Sequence, residues 1–208
     1  MNLEKNHPGK LFILSGPSGA GKGTICKRLL DETDIELSVS MTTRAPREGE
    51  VHGQHYYFVS EEEFVDNIEK DGFLEHAQVY GRRYGTPKAP VIEKLEKGID
   101  VILEIDIQGA LKVKENYPDG VFIFILPPSM AELRKRLTGR GTETAEAIEM
   151  RLGETMKELS FIEKYDYCVV NGELEEAVAR AKAIVIAEHS KVTFTAEELV
   201  RKYEEDDE

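Results

Sequence analysis

The sequence predicts an α/β fold, a doubly wound parallel sheet, and three observations carry that prediction. Residues 101–107 (VILEIDI), 121–126 (VFIFIL) and 167–170 (YCVV) are near-continuous apolar runs of strand length, the pattern of parallel strands buried on both faces. Helical stretches over 108–116, 129–137, 144–165 and 173–188 separate or follow them, and alternating strands and helices call for a parallel sheet. The short run LFILS at 11–15 ends in a Gly-rich turn and is followed by an amphipathic stretch over 22–30, which reads as strand, loop, helix.

The remaining elements are weaker. A short strand is expected at 38–41, then a polar loop rich in Gly and Arg over 44–54, and an extended piece from Tyr56 to Val59. Ser60 with Glu63 three residues on forms a capping box, and Gly72 closes that helix. Residues 73–87 resemble a strand and a turn, and 89–97 a helix stopped by Gly98. Because its strands are short, the segment 38–90 is expected to be an insertion on the main scaffold. The tail 190–208 is expected to hold a short helix from Thr195 and then fray.

Composition excludes several classes. With 208 residues one domain is the default, and an apolar share of 40% is too high for a disordered chain. The longest apolar run is far short of the ~20 residues a membrane span needs, and the first residues do not read as a secretory signal. Cys26 and Cys168 stand far apart with no CxxC, which argues against a disulfide scaffold or a zinc site and for reducing cytosol. Twenty-seven Lys and Arg against 40 Asp and Glu give a net charge of −13, with five acids in the last five residues. Such a field repels nucleic acid and anionic membranes. An anionic small molecule can still bind where basic residues are gathered.

They gather first at 16–24, GPSGAGKGT. Gly16, Pro17, Ser18, Gly19, Ala20 and Gly21 let the backbone curl so that N–H groups wrap a phosphate, the helix N-terminus adds partial positive charge, and Lys22 reaches the β- and γ-phosphates. The usual pattern places Ser or Thr directly after the lysine. Here Gly23 stands there and Thr24 follows, which leaves Thr24 as the candidate magnesium-side hydroxyl, acting through water. The loop indicates a nucleoside triphosphate but does not name an acceptor. The guanine-reading N-K-x-D of switch GTPases is absent from the sequence.

Three further stretches, SVSMTTRAPREGEVHGQHYYF at 38–58, EIDIQGA at 104–110 and RLTGRGTET at 136–144, join GPSGAGKGT in the same order and spacing as in guanylate kinases. From about residue 11 to 187 the chain resembles that family. The resemblance implies a P-loop kinase fold with a small GMP-binding insertion and a mobile lid over about 134–152. It also implies transfer of the γ-phosphoryl of Mg·ATP to GMP, and to dGMP with it, giving ADP and GDP.

Arg44 and Arg47 present two guanidinium forks to one dianion, and an arginine fork donates two parallel hydrogen bonds to phosphate. By resemblance these two, with the hydroxyls of Tyr56 and Tyr84, hold the GMP phosphate. The adjacent N1–H and NH2 donors of guanine suit one carboxylate, and the resemblance assigns that contact to Glu75, with Ser40 and Thr86 on the rest of the base edge. Polar pairing of this kind rejects adenine, whose N1 is an acceptor. Glu104 and Asp106, spaced by two on an apolar strand, are expected on one face at its carboxyl end, where ligands bind in open α/β sheets. The resemblance puts both near GMP, and Asp106 also near the waters of Mg2+. Arg136, Arg140 and Arg151 are carried over from the family's lid, and Asn171 from its adenine contact.

Two rivals remain at this stage. One is a guanylate-kinase-like scaffold domain that binds proteins, against which stand Lys22 and the acceptor and lid arginines. The other is a kinase for another nucleoside monophosphate, against which stands Glu75. Oligomeric state is not legible in the sequence.

Overall fold

The structure is a computed structural model that describes residues 8–79, 81–139, 144–192 and 195–206. Its centre is a five-stranded, wholly parallel sheet in the order β2-β7-β1-β8-β9. The strands are β1 (Leu11–Ser15), β2 (Glu36–Leu37), β7 (Val101–Glu104), β8 (Val121–Leu126) and β9 (Tyr167–Val170). The register is continuous across the middle, with Leu14 opposite Glu104 on one side and Ile123 on the other.

Side-chain alternation sorts the sheet into two cores, because successive residues of a strand face opposite ways. Phe12, Leu14, Ile102, Ile123 and Ile125 pack with Ile25 and Leu29 of α1 (Lys22–Glu32) and with Val178 and Ala181 of α7 (Leu174–His189). Leu11, Ile13, Val101, Leu103 and Phe122 pack on the other face with Val91 and Leu95 of α3 (Lys88–Glu96) and Val113 of α4 (Ile107–Asn116). Burial on both faces is why these strands carry no polar alternation.

A second sheet, in the order β4-β3-β6-β5, stands beside the first. It comprises β3 (Met41–Thr42), β4 (Tyr57–Phe58), and the hairpin of β5 (Phe73–Val79) and β6 (Arg82–Pro87). Helix α2 (Glu61–Glu69) opens with the expected capping box: Glu63 N–H donates to Ser60 Oγ and Ser60 N–H to Glu63 Oε2. Phe64 of this helix stacks on Phe73 with ring centroids 4.5 Å apart. Helix α4 ties the two sheets together, since Asn116 Nδ2 donates to Leu74 O at 2.9 Å and Lys112 Nζ to His76 O at 2.7 Å.

Helices α5 (Met130–Gly139) and α6 (Ala145–Glu158) share a small core of their own, Leu133, Leu137, Ile148 and Leu152, and Arg134 pairs with Glu149 between them. Leu133 and Leu137 also press on the loop after β1: a Cβ added at Gly19 would lie 2.8 Å from one and 3.0 Å from the other.

Several expectations are corrected. The strand at 38–41 is two short strands in different sheets, Glu36–Leu37 and Met41–Thr42, so the chain crosses between sheets at 38–40. The helix expected over 144–165 is α-helical to Glu158 and then tightens into a 3-10 segment, Leu159–Lys164. The helix expected from Thr195 is present as α8 (Ala196–Asp206), longer than expected at 11 residues. Among the described residues no helix is long and apolar enough to cross a membrane.

Candidate active site

Two clefts open at the carboxyl edge of the parallel sheet, with Glu104 between them. The first is the loop joining β1 to α1. Gly16, Gly19 and Gly21 have φ values of 144°, 87° and 93°, which side chains rarely adopt. A Cβ at Gly16 would come within 2.2 Å of Ile125 O. Gly21 is the N-cap of α1 and supplies no side-chain cap, so no side chain competes for the first N–H groups of the helix. Lys22 Nζ arches over the loop, donating to Gly16 O at 2.6 Å and Pro17 O at 3.1 Å. Pro17 and Ala20 are buried beneath, whereas Ser18, Gly23 and Thr24 are exposed.

Arg136 and Arg151, two of the arginines expected in a lid, lie near this loop on two sides. Arg151 Nη1 donates to Ser18 Oγ at 2.7 Å. Arg136 Nη2 donates to Asn171 O at 3.0 Å, and its Nε to Glu132 Oε1 at 3.1 Å. Arg140 lies outside the described residues. Asn171 is buried, and its Nδ2 donates to Ala20 O at 2.8 Å. Its amide braces the phosphate loop from below.

The second cleft lies between the hairpin and α4. One cavity of about 220 Å³ is lined by Ser40, Tyr56, Glu75, Tyr84 and Asp106, among others. An adjoining one of about 190 Å³ shares Ser40 and Tyr56 and adds Thr86 and Glu104. Glu75 and Thr86 are cross-strand partners, and Thr86 Oγ1 donates to Glu75 Oε1 at 2.8 Å. Burial raises the Glu75 carboxyl above its ordinary range, the Thr86 hydrogen bond opposes this, and the charge of Asp106 adds to it.

At the mouth, the Arg44 guanidinium lies over the rings of Tyr56 and Phe58, 5.4 and 5.8 Å from their centroids. Its two Nη atoms reach Glu50 at 2.9 and 2.8 Å, and that pair, with Tyr84 nearby, holds its charge firmly. Glu50 Oε2 takes the Arg47 N–H at 2.7 Å as well. The fork of Arg44 first, and then that N–H, hold the Glu50 carboxyl down at about 2. Arg44, Tyr56 and Tyr84 are thus together, while the Arg47 side chain is exposed.

The placement of Asp106 on the strand is corrected. Strand β7 stops at Glu104, so the two acids are not period-two neighbours on one strand. Asp106 is the N-cap of α4, its Oδ1 accepting the Gly109 N–H at 2.7 Å. It still reaches the acceptor cleft, where a Cβ at Gly109 would meet Asp106 Oδ1 at 3.4 Å and Glu75 Oε2 at 3.5 Å.

The sequence reading missed two acids. Glu50 completes the pattern R-x-x-R-x-x-E over 44–50, a signal that was legible. Glu158, at the end of α6, gave none. Burial raises its carboxyl, the nearby Lys22 charge opposes this, and Glu154 and Asp106 add to it. Two histidines beside this cleft are tied to the backbone: His55 Nδ1 accepts the Val51 N–H and His52 Nδ1 the Phe58 N–H. Cys26 is buried, its thiol pushed up to about 12 by burial and then by the charge of Glu104. Cys168 is exposed, and neither cysteine forms a disulfide.

Among the described residues no three His, Cys, Asp or Glu gather as a metal site. The donor set nonetheless suits Mg2+, which takes one or two carboxylates plus phosphates and water instead of an all-protein cage. Glu104 supplies oxygen donors beside the loop, next to Gly23, and Asp106 supplies others at the start of α4.

The family model described as guanylate kinase matches residues 8–188. The chain is 58% identical over 184 residues to a guanylate kinase of Clostridium acetobutylicum, covering 88% of each protein. It is 54% identical over 205 residues to one of Clostridium perfringens, covering 98% of this chain and 95% of that one. Among solved structures it resembles the crystal structure of guanylate kinase from Anaplasma phagocytophilum, with a TM-score of 0.69 and 40% identity over 90% of this chain and 89% of the other.

Proposed function

Because this chain belongs to the guanylate kinase family, and therefore transfers a phosphoryl group from ATP to GMP, we propose how its two clefts divide that work. The observation that carries the proposal is the placement of the Lys22 loop and the Arg44–Tyr56–Tyr84–Glu75 cleft on either side of Glu104.

The loop over 16–24 holds the ATP phosphates, with backbone N–H groups around them and Lys22 moving from its carbonyl contacts onto the β- and γ-phosphates. The insertion over 38–90 holds GMP. Arg44, Arg47, Tyr56 and Tyr84 take its phosphate, and Glu75, kept in place by Thr86, takes the N1–H and NH2 of guanine, with Ser40 on the same edge. Glu75 accepts that pair only when ionised, and its raised carboxyl is the cost of burying it where water cannot compete.

The GMP phosphate is a dianion near neutral pH and attacks the γ-phosphorus in line, so no side chain acts as a covalent nucleophile. Catalysis is positioning and charge neutralisation. The segment 134–152 is the lid, and its separate core supports its moving as a unit. Arg136 and Arg151 swing from Asn171 and Ser18 onto the transferred group, and closure excludes water. Mg2+ bound with ATP would neutralise the phosphate oxygens, with Asp106 and Thr24 on its side of the cleft and Glu104 on the GMP side. Two unpaired cysteines fit a reducing, cytosolic setting.

Two variants and two calorimetric titrations test the division. Lys22→Ala is expected to lose Mg·ADP binding and keep GMP binding, and Arg44→Ala the reverse. Loss of both ligands in both variants would contradict it.

A further inference from the structure

Gly23 stands where the usual phosphate loop has a hydroxyl, and the structure shows what lies beside it. A Cβ added at Gly23 would sit 3.4 Å from Glu104 Oε1 and 3.5 Å from Oε2. The hydroxyl of a serine there would extend one bond further, within reach of that carboxylate. Glu104 is the last residue of β7, paired in parallel with Leu14 of β1, so its side chain emerges at the sheet edge beside the first turn of α1. It is exposed, and its charge is felt at Cys26, one turn on from Gly23. A glycine at this helical position sacrifices stability relative to a residue with a side chain, so the space it leaves requires an occupant to account for it.

We propose that Gly23 and Glu104 are one functional unit, in which the Glu104 carboxylate takes the place of the missing hydroxyl beside the metal and its waters on the ATP side. This rests on the reading of the loop over 16–24 as the ATP site. It reassigns Glu104 from the GMP side, where family resemblance puts it. The reach of a glutamate, one methylene longer than an aspartate, is what brings this carboxylate to the first turn of α1.

The exchange changes the electrostatics in a way a hydroxyl does not. A carboxylate beside the loop repels metal-free polyphosphate and attracts the divalent cation. Nucleotide affinity therefore depends on Mg2+ more steeply than with a neutral hydroxyl.

The test is ADP binding by calorimetry, with Mg2+ and with the metal chelated, in the wild type, Glu104→Gln, Glu104→Asp and Gly23→Ser/Glu104→Asp. The expected result is that Glu104→Gln binds metal-free ADP more tightly and loses about tenfold or more of the gain from Mg2+, the scale of one charge-assisted contact. Glu104→Asp alone loses the gain, and the double variant regains most of it. An unchanged Mg2+ gain in Glu104→Gln overturns the inference while leaving the ATP-site reading intact, as does a full gain in Glu104→Asp alone. A wild type that binds no ADP under either condition overturns both.

Discussion

Arg44 and Glu50 meet in a two-pronged ion pair, Nη1 to Oε2 at 2.9 Å and Nη2 to Oε1 at 2.8 Å, and the same Oε2 takes the Arg47 N–H at 2.7 Å. One carboxylate thus fixes both the guanidinium of Arg44 and the backbone of Arg47, the two arginines proposed to take the GMP phosphate. Glu50 is a positioning residue in this account. Glu50→Ala is expected to raise the KM for GMP about tenfold, the scale of losing a charge-assisted contact, with the KM for ATP little changed. Steady-state kinetics with each substrate varied separately checks this.

The same pair has a pH signature. The folded Glu50 carboxyl sits at about 2, below the ordinary value of about 4.3. A depressed folded value means the pair stabilises the protein above the ordinary value and loses that contribution as pH falls toward 2. Acid unfolding of Glu50→Gln is therefore expected to show a shallower loss of stability than the wild type over that window.

Glu75 has the opposite sign. Its carboxyl is raised, chiefly by burial, so the stability it contributes is present below the ordinary carboxylate value and is lost as pH rises through the folded value. At neutral pH the charged form is a burden on the empty protein. Glu75→Gln is expected to melt at a higher temperature while its kcat/KM for GMP falls about a hundredfold or more. Thermal melts and kinetics on one preparation check both halves.

Gly21 and Asn171 are coupled sterically. A Cβ at Gly21 would lie 2.2 Å from Asn171 Nδ2, on a backbone with φ of 93°. Left-handed strain alone costs a non-glycine residue about 1–2 kcal/mol. Gly21→Ala is expected to destabilise by more than that, because the clash adds to it. Asn171→Ala removes the clashing atom as well as the brace on Ala20 O, so the double variant is expected to be more stable than the two single losses summed. A double-mutant cycle in denaturant measures the coupling.

The parts legible in the sequence are those with local punctuation. The phosphate loop sits between LFILS and an amphipathic helix, and the Ser60–Glu63 box marks α2 within a residue. Glu75 and Thr86 were named from family resemblance, and their pairing emerged only from the register of the hairpin. Asp106 was misread because Ile105 and Ile107 continue an alternating pattern past the end of β7, while an aspartate is equally at home capping a helix. The strands at 36–37 and 41–42 are too short for any periodicity to show. The bond from Asn171 to Ala20 O could not be read from the sequence, since which way a buried amide turns depends on the loop brought against it from 151 residues away.

The most direct measurement is coupled ADP production from Mg·ATP with GMP, AMP, CMP and UMP offered separately, in the wild type and in Lys22→Ala and Arg44→Ala. Rapid turnover of GMP alone, lost in both variants, is the predicted result. Turnover of AMP in place of GMP would contradict the assignment of Glu75 and its cleft. Tight GMP binding without turnover of any acceptor would contradict the catalytic account as a whole.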